Sequence, residues 1–300
     1  MFKSGFVTVV GRPNVGKSTL INAMAGEKLA ITSPKPQTTR NKFFAIITEK
    51  DYQIVFIDTP GIHKPKNKLG EFMVKTASDS MSGADMILYL YDSSYKSVSP
   101  ADKEIIEQIA DSSAAKKMLI LTKIDLVKKD DLLSIISEIT KLADFDEVIP
   151  VSSVKDDGVD IVLKTIVDAL PEGPLYFPED IATDSTVREM STEIIREKIL
   201  YFTDDEVPHG VGVEIIAFKE PRYEGGTCNI EANIYCEKNS HKGILIGKNG
   251  AMLKKIGTAS RKDIERLTGY KINLKLWVKV KEDWRNSPGM LKELGFKDEQ

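Results

Sequence analysis

Along the first 170 residues, short apolar runs rich in β-branched side chains alternate with stretches of helical period. The runs at 6–10 (FVTVV), 42–48, 53–58 (QIVFID), 85–91, 117–122 (KMLILT) and 147–151 predict strands. Over 158–170, Val159, Val162, Leu163, Ile166 and Leu170 fall on one helical stripe. Strands alternating with helices predict a mostly parallel sheet with helices on both faces, an α/β domain over 1–170. The pattern then lapses. "PEGPLYFPED", residues 171–180, carries three prolines and a glycine, which disfavour a helix and mark a linker over 171–184.

Beyond the linker the order changes. An amphipathic helix near 185–202 precedes two strand-like runs, 211–219 (VGVEIIAFK) and 228–236 (CNIEANIYC). A short helix near 240–246 meets "GKNG" at 247–250, and a longer helix runs to about Leu267. A strand over 270–280 and a last helix over 283–294 close the chain. This order predicts a second, α+β domain over 185–300, and a length of 300 residues suits two cores better than one.

The apolar (41%) and charged (29%) fractions are those of an ordinary globular protein, so disorder is excluded. The net charge of −3 hides a local bias: Lys238 to Lys281 holds twelve Lys or Arg against Asp263 and Glu265. That stretch carries +10 and leaves −13 on the remainder, a basic face set on an acidic body. Cys228 and Cys236, evenly spaced along one predicted strand, read as a reduced, partly buried pair rather than a disulfide, with no metal-ligand spacing. Met1-Phe2-Lys3-Ser4-Gly5 runs straight into a strand, with no room for a signal peptide. The longest apolar run, "MILYLY" at 86–91, is too short to span a bilayer, and a cytoplasmic chain is expected.

The chemistry starts at Gly11-Arg12-Pro13-Asn14-Val15-Gly16-Lys17-Ser18, which fits G-x-x-x-x-G-K-[ST] between a predicted strand and helix. Its glycines let backbone N–H groups wrap phosphates, with Val15 and Thr19 in the same contact set. Lys17 would set a cation by the outer phosphates and Ser18 a hydroxyl on Mg²⁺. Asp58-Thr59-Pro60-Gly61 ends the strand QIVFID, on the sheet edge where α/β domains bind ligands. There Asp58 would hold Mg²⁺ through water and the Gly61 N–H would meet a γ-phosphate. In "SPKPQTTRNK", 33–42, Thr38 or Thr39 would reach Mg²⁺ once a γ-phosphate is present; Thr39, directly before Arg40, is the better placed. Lys17, Thr39 and Gly61 make up the expected catalytic set.

Thr122-Lys123-Ile124-Asp125 decides the base, because a carboxylate there accepts from guanine N1–H and the exocyclic amine, a donor pair adenine lacks. Lys123 would lie along the base and brace the phosphate loop, while Ser152, with Ser153 beside it, would support the guanine carbonyl through backbone N–H. The expected ligands are therefore GTP or GDP with Mg²⁺. Ile62 stands where many regulatory GTPases place a water-orienting glutamine, so unaided hydrolysis should be slow. Asn14 has two readings, a loop-shaping residue or a side-chain carbonyl for a monovalent cation such as K⁺.

In "GILIGKNGAMLKKIGTASRKDIERLTG" the G-x-x-G of Gly247, Lys248, Asn249 and Gly250 opens a helix. Leu253, Ile256, Ile264 and Leu267 should face inward, and Lys254, Lys255, Arg261 and Lys262 outward. The strand "KINLKLWVKV" alternates Lys with apolar residues. Helix, two strands, two helices around G-x-x-G and a third strand is the order of a type II KH domain, which binds single-stranded RNA. The RNA set would be Gly247, Lys248, Asn249, Gly250, Lys254, Lys255 and Arg261, against the plainer reading of a solvated basic face.

These residues resemble the Era-like subfamily of the TrmE-Era-EngA-EngB-Septin-like GTPases over essentially the whole chain. "GRPNVGKSTL", "PQTTR", "DTPGIHKPKNKLG", "TKID" and "VSS" carry the resemblance in the first half. "REKIL", "EVPHG", "IGKNG", "RKDIE" and "LWVKVKEDWRNSP" carry it in the second. TKID replaces the more usual Asn-Lys-x-Asp, and "SSV" the usual Ser-Ala-Lys. The resemblance implies an α/β P-loop GTPase domain followed by a KH domain that binds small-subunit (16S) ribosomal RNA near its 3′ end in 30S assembly. It also implies peripheral association with the inner membrane face; a monomer is the default expectation. The alternative is a P-loop enzyme modifying RNA or a metabolite, which would need a further nucleophile or metal constellation, and His63, His209 and His241 stand isolated in the sequence. A third reading is an RNA-binding scaffold with a structural nucleotide.

Overall fold

The protein is described by a computed structural model over residues 1–296, apart from Pro34, Pro36, Gln37, Lys96, Asp205, Glu206, Arg222 and Glu224. It divides into a first unit built from Met1–Thr32, Thr39–Lys66 and Gly70–Asp184, and a second built from Ser33–Thr38, Asn67–Leu69 and the chain from Ser185 onward.

In the first unit the strands are β1 (Lys3–Val10), β2 (Phe43–Glu49), β3 (Tyr52–Asp58), β4 (Met86–Asp92), β5 (Lys116–Thr122) and β6 (Glu147–Pro150). They form one sheet in the order β2-β3-β1-β4-β5-β6. Only the β2–β3 pair is antiparallel. The helices are α1 (Lys17–Ala25), α2 (Lys68–Asp79), α3 (Pro100–Asp111), α4 (Lys129–Ile139) and α5 (Val159–Ala169). β4, buried at every position, reads as the near-continuous apolar run of a strand covered on both faces. One core joins Val7, Val9, Leu88, Leu90 and Ile120 to α1 and to Val159, Val162 and Ile166 of α5. The opposite face packs Ile87, Tyr89, Leu119 and Leu121 against α3 and α4. Chain order reverses around β1, which pairs with β3 on one side and β4 on the other, so the carboxyl edge there is a crevice.

β1 starts at Lys3, three residues before the apolar run. Its polar beginning is held by the segment expected to be a linker: Lys3 pairs with Glu172, and the Ser4 hydroxyl donates to the Pro174 carbonyl at 2.6 Å. The same segment crosses the buried Gln53, whose Oε1 accepts from the N–H groups of Tyr176 (2.8 Å) and Phe177 (3.0 Å). The Gln53 amide donates back to the Phe177 carbonyl at 2.8 Å, and Ala45 of β2 pairs with Thr183. Tyr176 packs on Phe6 and Phe177 on Phe44. Proline keeps these residues out of a helix, and the extended backbone is used as a strap bonded to the first unit.

The second unit holds α6 (Val187–Phe202), β7 (Gly212–Lys219), β8 (Thr227–Cys236), α7 (Asn239–Ile246), α8 (Ala251–Thr268), β9 (Lys271–Val280) and α9 (Pro288–Glu293). The sheet order is β7-β8-β9, antiparallel then parallel, with a bulge in β7 between Ile215 and Ala217. α6 begins with a capping box in which Thr186 and Glu189 satisfy each other's backbone N–H groups. Ile195 and Ile199 of α6, Ile256 and Ile264 of α8, and Cys228, Ile230, Ile234 and Cys236 of β8 share one core. Both cysteines are free and fully buried, deeper than the spacing suggested. The closing helix is shorter than its pattern: Trp284–Asn286 form a single 3₁₀ turn and α9 starts at Pro288, which has no N–H to give and fits only a first helical turn.

Candidate nucleotide site and nucleic-acid interface

The phosphate loop hangs between β1 and α1 on glycines that no other residue could replace. A Cβ on Gly11 would lie 2.5 Å from the Leu90 carbonyl oxygen, and Gly16 is left-handed at φ +103°. Asn14 also has positive φ, 66°, a loop-shaping conformation. Gly16 caps α1 with no side-chain acceptor, so the N–H groups of the first turn point out for an anion. α3 differs, having its own capping box of Ser99 and Asp102. The Lys17 ammonium is almost buried and donates to the carbonyls of Gly11 and Arg12, 3.2 Å each, which sets it over the loop.

The three expected metal residues meet. Ser18 Oγ donates to Asp58 Oδ2 at 2.8 Å, Thr39 Oγ1 to the same oxygen at 3.2 Å, and the two hydroxyls lie 3.2 Å apart. The other Asp58 oxygen, Oδ1, is buried with no hydrogen-bond partner. Burial pushes the Asp58 carboxyl above the usual carboxylate range, while Lys17 and the bonds from Ser18 and Thr39 pull it down. A buried carboxylate with an unmet oxygen beside two hydroxyls is the oxygen donor set a Mg²⁺ ion takes, so these residues fit the ion. Pro34, Pro36 and Gln37 of the expected switch loop lie outside the described residues. Gly61 stands against the loop, where a Cβ would come within 2.5 Å of the Pro13 nitrogen. Ile62 is buried in the β4–α3 core, and its N–H donates to the Gly11 carbonyl at 3.1 Å. No side chain at that position reaches a water.

Burial pushes the Lys17 ammonium down to about 8, against the opposing pull of Asp58. Phosphate binding favours the charged form, so triphosphate affinity should hold below that pH and fall by up to about tenfold per unit above it. A titration with a fluorescent GTP analogue across that range measures this, and a flat profile would contradict it.

At the base end the structure reassigns two roles. The Thr122 hydroxyl, not Lys123, braces the phosphate loop, lying 2.6 Å from the Val15 carbonyl and 3.1 Å from that of Tyr91. Lys123, itself at φ 58°, is fixed instead by Asp92 at 2.5 Å. Asp92 is buried, and its second oxygen accepts from the Ser94 N–H and hydroxyl. The Ser152 N–H is committed to the Asp157 carbonyl at 2.9 Å, so it does not serve a base carbonyl. The Ser152 hydroxyl has another task, donating to Asp125 Oδ1 at 2.6 Å and aiming that exposed carboxylate.

Asp92 was missed in the sequence, although it ends β4 on the same carboxyl edge as Asp58, and that position was the available signal. Arg12 was also missed. Its guanidinium meets Asp102 and Ser99 at 3.2 Å and covers the Tyr95 ring, tying the phosphate loop to the start of α3.

In the second unit, Gly247 ends α7 and Gly250 opens α8, both at positive φ, with Asn249 at 52° between them. A Cβ on Gly247 would meet Met252 within 2.8 Å. α8 begins without a side-chain cap, so its first N–H groups are open to a phosphate. Lys248 and Asn249 are exposed, as are Lys254 and Arg261, seven residues apart on one helical face. Lys255 is exposed as well, with its ammonium 4.2 Å above the Phe202 ring. Replacing Lys248 and Asn249 together by aspartate should weaken RNA binding roughly tenfold or more while GTP binding survives. Filter binding with parallel nucleotide titrations checks it.

Residues 6–123 match the family described as 50S ribosome-binding GTPase, and 206–285 that described as KH domain. The GTPase Era of Ruminiclostridium cellulolyticum is 56% identical over 296 residues, spanning 99% of this chain and 98% of that protein. The GTPase Era of Clostridioides difficile is 52% identical over 99% and 100% of the two chains. A crystal structure of Era in complex with MgGDPNP and nucleotides 1506-1542 of 16S ribosomal RNA is similar at a TM-score of 0.93, with 38% identity over 99% of each chain. Among the described residues, no helix is long and apolar enough to cross a membrane. With its phosphate loop and G-x-x-G module, this chain belongs to the Era family of GTPases, enzymes that hydrolyse GTP.

Proposed function

We propose that this protein uses its GTP cycle to control binding of small-subunit (16S) ribosomal RNA near the 3′ end, and so assists 30S assembly. The convergence of Ser18, Thr39 and Asp58 carries the switch reading, because it brings Thr39, from outside the strands and helices, to the residues that would hold the cation beside a γ-phosphate. Residues 1–170 supply the nucleotide site, and 185–300 the RNA contact through Gly247, Lys248, Asn249, Gly250, Lys254, Lys255 and Arg261. The Era relative bound to 16S ribosomal RNA supports that target.

GTP and Mg²⁺ are the working ligands. Ser18, Thr39 and Asp58 hold the cation, which when bound neutralises charge on the phosphate oxygens. Lys17 sets its ammonium at the outer phosphates, the first turn of α1 donates backbone N–H groups, and the Gly61 N–H meets the γ-phosphate. Asp125, aimed by Ser152, reads guanine. With Ile62 turned into the core, water is positioned by backbone near Gly61 and by Thr39, so turnover is slow unless an outside factor or a cation helps. K⁺ held by Asn14 is such a cation. Exchanging Na⁺ for K⁺ should raise turnover several-fold, and Asn14→Ala should remove the difference; equal rates in the two salts would discard the idea.

A monomer that associates peripherally with the inner membrane face completes the reading, and sedimentation of the protein alone and with anionic vesicles tests both parts. Sequencing RNA crosslinked to the protein with GTP and with GDP tests the main proposal. Recovery of the 3′ end of 16S RNA only with GTP is expected; the same RNA set in both states would refute nucleotide control.

A further inference from the structure

We propose that the outer face of the three-stranded sheet, centred on Trp277, is a second contact surface for single-stranded RNA, separate from the G-x-x-G turn. It rests on the reading of the second unit as an RNA binder. The inner face of this sheet is spent: Cys228, Ile230, Ala232, Ile234, Ile272 and Val278 pack in one core with Leu245 of α7 and Ile256 and Ile264 of α8. The helices that carry Gly247 and Gly250 therefore lie on that side. The alternate residues of β9, namely Lys271, Asn273, Lys275, Trp277 and Lys279, point the other way, and all five are exposed.

The two tryptophans of the chain are treated oppositely. Trp284 is fully buried and donates its indole N–H to the Gly210 carbonyl at 2.9 Å, whereas Trp277 is 40% exposed. Lys275 and Lys279 flank it, each about 6.7 Å along the strand. Lys271 and Lys279 make no ion pair among the described residues, and Lys275 lies 3.6 Å from Glu231, an exposed pair that a phosphate displaces at little cost. Of the other acids on this side, Glu214 is occupied by Tyr235 (2.7 Å) and Asn233 (3.2 Å), and Glu293 lies near the same Tyr235 hydroxyl. Lysines on an edge strand also guard against strand pairing, and that accounts for the charges. It does not account for a half-exposed indole among them, which would undo such protection. An aromatic face bracketed by cations is what an unpaired base and its neighbouring phosphates recognise, in any sequence.

Because Trp284 is buried, changes in tryptophan emission on adding a short single-stranded oligoribonucleotide report on Trp277. In the full-length protein the RNA should quench that emission. Trp277→Ala should weaken binding by about 5- to 100-fold, with Trp277→Phe retaining most of it. Lys275→Ala with Lys279→Ala should reduce the slope of log affinity against log salt by about 1.4. Unquenched emission, together with wild-type affinity and salt slope in these variants, would overturn the surface while the Lys248→Asp, Asn249→Asp protein still reports on the G-x-x-G site. Absence of RNA binding by the wild-type chain would overturn the RNA reading itself.

Discussion

Replacing Asp125 by asparagine is expected to lower GTP affinity by about 10²- to 10⁴-fold and to move preference to xanthosine nucleotides. The carboxylate is exposed toward the ligand and held by the Ser152 hydroxyl at 2.6 Å, so it is aimed before the base arrives. It offers acceptors to the two donors on one edge of guanine, and each such charge-assisted bond is worth about 1.5–3 kcal/mol. Asparagine keeps one acceptor and turns the other into a donor, which faces the guanine amine unfavourably and the xanthine carbonyl favourably. Competition of GTP and XTP for a fluorescent nucleotide measures the exchange; unchanged guanine preference would refute the base assignment. Ser152→Ala should give a smaller loss of the same kind, since the carboxylate remains but loses its orienting bond.

Replacing Lys17 by alanine should reduce GTP turnover at saturating nucleotide by about 10²- to 10³-fold, the scale for removing one preorganised charge donor. The ammonium already rests between the carbonyls of Gly11 and Arg12, so the wild-type protein spends little on reorganisation. Its loss also removes the charge that opposes burial in raising the Asp58 carboxyl, and the free protein should lose stability. Phosphate release and thermal melting test the two effects together. Turnover equal to wild type would refute the catalytic role given to Lys17.

The features legible in the sequence were those set by local chemistry. G-x-x-x-x-G-K-S needs only a strand before it and a helix after it, and both were visible as periodicity. Asp58, Thr122 and Asp125 were found because the carboxyl ends of parallel strands share one edge. What stayed hidden depended on register across the sheet. Asp92 pairs with Thr122, which brings its carboxylate to Lys123, and nothing in "YDSS" announces that neighbour. The Ser152 N–H lost its expected role to a local turn with Asp157. Gln53 looked like the polar start of a strand; its four hydrogen bonds go to a segment more than a hundred residues away and to Thr48.

That last arrangement bears on how such a chain was assembled and how it would be divided. A chain ended at residue 170, where the helical stripe stops, would leave Gln53 with one of its four hydrogen bonds and would uncover Phe6 and Phe44. Three lost bonds at about 0.5–1.5 kcal/mol each, with two aromatic rings uncovered, would take a sizeable share of an ordinary domain's stability. A fragment ended at Asp184 would keep all of them. The proline-rich boundary is thus a poor place for recombination: a gene joining this nucleotide domain to a different output module would have to carry the strap along with it.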